Sequence, residues 1–104
     1  MFVEERIYTL HPGKVAEMVR LYGEEGLALQ SRYLGKFIGY FTTETGNLNQ
    51  VVFMWGYDSL DDRDARRARM NQDPDWQRYL GKVVHLLVSQ ENRILRPTSF
   101  SPIR

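Results

Sequence analysis

The chain has no cysteine among its 104 residues. That removes disulfides, thiolate nucleophiles and cysteine-based metal or iron–sulfur sites together. It has almost no net charge, formally +1. Nothing electrostatic therefore points to nucleic acid or to an anionic membrane as partner. It has no apolar run near the roughly 20 residues a membrane helix needs. The N-terminus is charged from Glu4 onward and lacks the apolar stretch of a secretory signal. A cytoplasmic protein is the expectation. There are only 2 histidines, His11 and His85, far apart in sequence, with no carboxylate at ligand spacing. No metal site is expected. Phosphate loop, dinucleotide fingerprint, zincin motif and nucleophile elbow are all missing, so the sequence names no cofactor.

What is present suits one globular domain: 42% hydrophobic residues, 26% charged and 12% aromatic. A strand is expected over about 3–10, stopped by His11, Pro12 and Gly13. A helix follows over about 13–34, with Val15, Met18, Val19 and Tyr22 on one stripe. Gly23 and Gly26 lie inside it, where each costs on the order of 1 kcal/mol against alanine. They mark a kink or a break. Strands over about 36–43 and 51–57 flank a turn at 44–47 and form a hairpin. Ser59 caps a second helix. A short helix restarts at Asp73-Pro74-Asp75-Trp76, an apolar turn follows at 83–88, and the last strand is about 89–95.

The third strand departs from the usual alternation of a sheet with one wet face. Val51, Phe53, Trp55 and Tyr57 lie on one side, and Val52 and Met54 on the other. The order β-α-β-β-α-β is that of a ferredoxin-like unit, with an antiparallel sheet and its helices on one face. Nothing in the chain is left to cover the face away from the helices, whether that is the side of Val52 and Met54 or that of Phe53 and Trp55. A second copy, sheet to sheet, is the economical cover, so a homodimer is expected.

Six stretches make the chain resemble one family: YTLHPGKV (8–15), LGKFIGYFTTETGNLNQVV (34–52), WGYDSLDDR (55–63) with ARRA (65–68), DPDW (73–76) and ENRILRP (91–97). They resemble the NIPSNAP proteins of the dimeric α+β barrel superfamily. The resemblance implies a ferredoxin-like α+β protomer, with two sheets closed into a barrel. It also implies the short bacterial type, with one domain over 1–104 and no mitochondrial leader. Relatives often carry histidine at the position of Phe53 and arginine at that of Gly56. The family has no agreed reaction to carry over.

Two functional readings follow. Other families of the superfamily include cofactor-independent monooxygenases, haem-degrading oxygenases and lactone isomerases. By that analogy a small apolar or aromatic molecule binds in or beside the barrel. Tyr8, Tyr40, Trp55, Tyr57 and Trp76 would shape its pocket, unless these rings simply pack the core and the dimer. His85, in an apolar turn, is either a core residue or the general base. The other reading is a non-catalytic carrier or interaction module. Arg63, Arg66, Arg67 and Arg69 could grip an anion, but the acids among them predict a solvated, self-paired helix face.

Overall fold

Backbone pairing in the computed structural model, which describes all 104 residues, builds one four-stranded antiparallel sheet. Its strands are β1 (Phe2–Leu10), β2 (Lys36–Thr42), β3 (Gln50–Tyr57) and β4 (Leu87–Leu95). Their order is β2-β3-β1-β4, so β1 and β3 are central. The helical elements are α1 (Val15–Leu21), a π turn (Tyr22–Gly26), α2 (Leu27–Tyr33), α3 (Leu60–Asn71), α4 (Pro74–Val83) and a 3-10 turn (Val84–Leu86). This is the expected ferredoxin-like α+β arrangement. No helix is long and apolar enough to cross a membrane.

Caps and packing set the helix boundaries. The Ser59 hydroxyl accepts from the Asp62 amide at 3.0 Å and starts α3. The Asp73 carboxylate accepts from the Asp75 amide at 2.8 Å, and Pro74 opens α4. Tyr33 donates to Asp73 Oδ2 at 2.6 Å, and Arg66 donates to the Tyr33 carbonyl at 3.1 Å. These bonds tie the end of α2 to both later helices.

The two glycines expected to kink or break the first helix mark the π turn that separates α1 from α2. Gly23 and Gly26 sit in the π turn, and the helical path continues through it. An α-helix sets residues eight apart at about 80° to each other around the axis. One residue absorbed in a wider turn brings that to about 20°. Tyr22 and Gln30 therefore face the same way, and the phenol donates to Gln30 Oε1 at 2.6 Å. Gly26 has a second role. A Cβ there would stand 2.6 Å from Tyr79 Cζ and Oη, so only glycine lets α4 approach this closely.

The strand with two apolar faces is resolved by burial. Val51, Phe53, Trp55 and Tyr57 point to the helices and are buried in one cluster with Met18, Leu21, Met70, Trp76, Tyr79 and Val83. Val52 and Met54 turn to the opposite face and are half-buried. The chain does cover part of that face, contrary to expectation. Tail residues Pro97, Thr98, Ser101 and Ile103 share a shallow groove with Val3, Ile38, Met54 and Leu95. Farther along, Phe41, Val52 and Ile7 form one cross-strand row, and Phe41 is 52% exposed.

Candidate functional site between helices and sheet

On β1 the two alternating sets, Val3, Glu5, Ile7 and Thr9 against Glu4, Arg6, Tyr8 and Leu10, both mix apolar and polar residues, so alternation assigns neither face. The register of β1 with β3 settles them. Glu4 opposes Trp55, Arg6 opposes Phe53 and Tyr8 opposes Val51, so all three point toward the helices. A charged pair thus lies on the core side of a central strand. Such charges need partners. Glu4 is 1% exposed and fully partnered. Arg63, on α3, donates to Glu4 Oε1 at 3.1 Å and to Oε2 at 2.7 Å. Asn92, on β4, donates to Oε2 at 2.7 Å, and Arg6 at 3.0 Å. Burial alone would raise the carboxyl pKa. The bonds from Arg63 and Asn92, and the charges of Arg6 and Arg63, outweigh it and hold Glu4 down at about 2.

The Glu4–Arg63 pair lays α3 along β1. One helical turn rises about 5.4 Å, and two strand residues span about 6.6 Å. Arg63 and Arg67, one turn apart on α3, thus keep step with Glu4 and Arg6, and the exposed Asn71 reaches the cavity one turn further on. The structure shows the result as a cavity of about 280 Å³ between the helices and the sheet. Arg6, Tyr8, Arg67, Asn71 and Gln90 supply polar groups to its wall. Phe53, Met18, Trp76, Tyr79, Val83 and Leu87 supply much of the apolar part, and Tyr22 from the π turn and Gln30 from α2 complete a further side. A largely apolar cleft with a few polar groups is the usual form of a small-molecule site, and this volume is at the small end of the range.

The rings meet around Phe53. Tyr8 stands edge-on to it at 5.0 Å, and Tyr40 stacks on it at 5.0 Å. Tyr22 stacks on Tyr40 at 4.2 Å. Burial pushes the phenols of Tyr22, Tyr40 and Tyr79 well above the ordinary tyrosine range. At neutral pH they are proton donors and not bases. The hydroxyls of Tyr40, Tyr57 and Tyr79 and the indole N–H of Trp55 are buried without a protein partner. Arg6 Nε donates to the Tyr8 oxygen at 3.0 Å, which leaves the Tyr8 O–H hydrogen directed elsewhere.

Of the residues singled out in sequence, Tyr8 and Trp76 line the cavity. Tyr40, Trp55 and Tyr57 share the helix-facing side of the sheet but lie outside the lining. Tyr40 backs the Tyr22 and Phe53 rings, and Trp55 packs on Phe37 at 5.0 Å. His85 is not brought to the cavity. It is exposed in the 3-10 turn, where Leu86 takes the buried position. His11 is exposed as well. No three His, Cys, Asp or Glu side chains are grouped to hold a metal ion.

The arginine run corrects the expected solvated face. Arg66 does pair within its helix, with Asp62 at 2.9 Å. Arg63 and Arg67 turn inward instead, because the sheet offers them Glu4 and the cavity. Sequence reasoning did not single out Gln90, assigned Arg67 to a solvated face and could not place Arg6; all three line the cavity. The available signal was the pair Glu4 and Arg6 on one parity of a strand, matched by arginines four apart on α3.

Together these features define a ferredoxin-like α+β domain with a ligand-sized cleft between its helices and sheet. The same fold is found in a putative antibiotic biosynthesis monooxygenase from Nitrosomonas europaea, with TM-score 0.68 and 11% identity over 93% of this chain and 98% of that one. At that identity the likeness is one of fold alone. The chain belongs to the NIPSNAP family, whose profile matches residues 3–102. A NIPSNAP family protein of Agrobacterium tumefaciens has a crystal structure with TM-score 0.96 and 51% identity, covering 99% of this chain and 98% of that one. Human NipSnap homolog 3A is 44% identical over 69 residues, 66% of this chain and 28% of that protein. The chain thus spans less than a third of the length of that curated relative.

Proposed function

We propose that this protein binds a small apolar or aromatic molecule in the cleft between its helices and its sheet. The observation that carries the reading is the cavity itself, about 280 Å³, with a mostly hydrophobic wall and convergent polar groups at Arg6, Tyr8, Gln30, Arg67 and Gln90. A filled interior would have spoken for a module with no ligand. Two of its lining residues, Arg67 and Tyr79, carry buried N–H or O–H groups without a protein partner.

Within that reading, carriage of a ligand has more support than base catalysis. The buried phenols are held protonated, and neither histidine lines the cleft. Oxygenation or isomerisation of the bound molecule is the second reading. Its support is the fold shared with the Nitrosomonas protein. We also propose that the protein is a homodimer through the sheet face carrying Ile7, Phe41 and Val52, since the tail covers only the other end of that face.

Native mass spectrometry on protein purified without dialysis tests both. The expected species has about twice the 12.3 kDa chain mass and retains a small organic molecule. That molecule, incubated aerobically with the protein, should be recovered unchanged by a carrier and converted by an oxygenase or isomerase. A ligand-free mass, with no change in tryptophan fluorescence on titration with small aromatic compounds, would overturn the binding reading.

A further inference from the structure

The polar end of the cleft holds more positive charge than its carboxylates balance. Arg6 and Arg63 share Glu4, and Arg63 also reaches Asp64 at 2.9 Å. Arg67 is the third arginine of this group and pairs with neither acid. Its Nη1 is buried and meets no protein acceptor, although a guanidinium offers five N–H donors. Three arginines against two carboxylates leave a surplus of one positive charge. An orphaned donor on a charged group inside a protein is destabilising. Methionine or leucine would pack there without that cost. Arg67 is instead kept at the wall of a cavity. Burial and the nearby charge of Arg6 both lower its pKa, so an anion beside it would relieve two strains together.

The neighbours fit the same occupant. Tyr8 accepts from Arg6 through its oxygen and keeps its own hydrogen for a ligand. The opposite wall, formed by Trp76, Tyr79 and Val83, is apolar. One surplus charge matches a monoanion, and a dianionic phosphate would overcompensate it. A planar carboxylate also suits the fork of a guanidinium.

We propose that the ligand of this cleft is a small amphipathic carboxylic acid, held at its carboxylate by Arg67 with Tyr8 as a second donor, its apolar body lying against Trp76 and Tyr79. This rests on the reading that the cleft binds a small molecule, and it names the chemical class.

Calorimetric titration with octanoate, decanoate, 4-phenylbutyrate and 2-naphthoate, each beside its primary amide, tests it. At least one acid is expected to bind more tightly than its amide, by about tenfold to a hundredfold, the range of a hydrogen bond to a charged group. Arg67→Met should abolish that preference and leave amide binding in place. The same variant should melt at or above the wild-type temperature, because an unpartnered guanidinium is removed; a merely structural arginine would give a lower melting temperature. Acid and amide binding alike, or amide binding more tightly, overturns the carboxylate assignment and leaves the cleft reading standing. So does tighter binding of octyl phosphate than of octanoate. If no acid and no amide binds, both readings fall.

Discussion

Arg63 grips Glu4 through two hydrogen bonds, 3.1 Å to Oε1 and 2.7 Å to Oε2, and so fixes α3 onto the central strand β1. Asn92 adds the outer strand β4 to the same carboxylate at 2.7 Å. Removing the charge leaves the half-buried Arg6 without its counter-ion and takes from Arg63 its partner on β1. Glu4→Gln should therefore cost roughly 3 kcal/mol, the scale for breaking a buried pair. The pH dependence has a definite sign. The folded pKa of Glu4, about 2, lies below the unfolded value of about 4.3. Its contribution is present above the unfolded value and is lost as pH falls through the window from about 4.3 to 2. Urea melts between pH 7 and pH 2 should show this acid limb in the wild type and a flatter one in Glu4→Gln. An equal acid limb in both would remove Glu4 as its source.

That pair also marks the limit of reading this protein from sequence. The element order, the hairpin, the Ser59 cap and the helical restart at Pro74 were all legible, because each depends on local residue chemistry. Parity separated the two apolar sides of β3, but it did not tell which of them meets the helices. The faces of β1 were not legible, because Glu4 and Arg6 occupy the core side while Glu5 occupies the other. Alternation counts polarity, and here polarity was balanced by partners 59 and 88 positions away. The arginines of α3 looked solvated for the same reason. The cavity was half legible. Its rings were visible as a class, but which ones line it depends on the π turn and on the approach of α4. No periodicity encodes either.

That approach makes Gly26 a sensitive position. A methyl group there would overlap Tyr79 at 2.6 Å and the Tyr22 ring at 2.8 Å. Gly26→Ala should destabilise by roughly 2 kcal/mol, as overpacking does. Helix propensity alone predicts the opposite sign, since alanine is the better helix former. Adding Tyr79→Leu should recover part of the loss, with a coupling energy near 1 kcal/mol in a double-mutant cycle. Additive penalties would mean that the glycine serves some need other than clearance for Tyr79.

His85 and Trp76 were both candidate site residues, and the structure separates them. His85→Ala alters an exposed side chain outside the cleft lining. It should leave stability within about 0.5 kcal/mol and ligand affinity unchanged. Trp76→Ala empties part of the cleft wall and of the core. It should cost about 3–5 kcal/mol of stability and weaken binding at least tenfold. Trp76→Phe is the better test of binding, because it keeps an aromatic ring. Isothermal titration with the retained ligand measures all three. Loss of affinity or turnover in His85→Ala at unchanged stability would restore the histidine as a functional group.

The sheet face away from the cleft carries the row Phe41, Val52 and Ile7, in direct register across three strands. Phe41 folds its ring over Gly39, where a Cβ would meet it at 2.7 Å, so this edge of the sheet is smooth and apolar. The tail ends its cover at Met54 and Ile38. Two such faces packed by two-fold symmetry bring Val52, at the middle of the row, toward the centre of the interface. Val52→Lys places a charge there. In the separate protomer that lysine can reach water along its aliphatic stem, so the fold should survive. In the dimer the charge is buried and unpaired. Sedimentation equilibrium should show a dimer for the wild type and a monomer for Val52→Lys, with unchanged far-UV circular dichroism. Lysine at exposed Val84, on the helical side, should leave the dimer intact. A Val52→Lys protein that sediments as a dimer would show that the copies meet elsewhere.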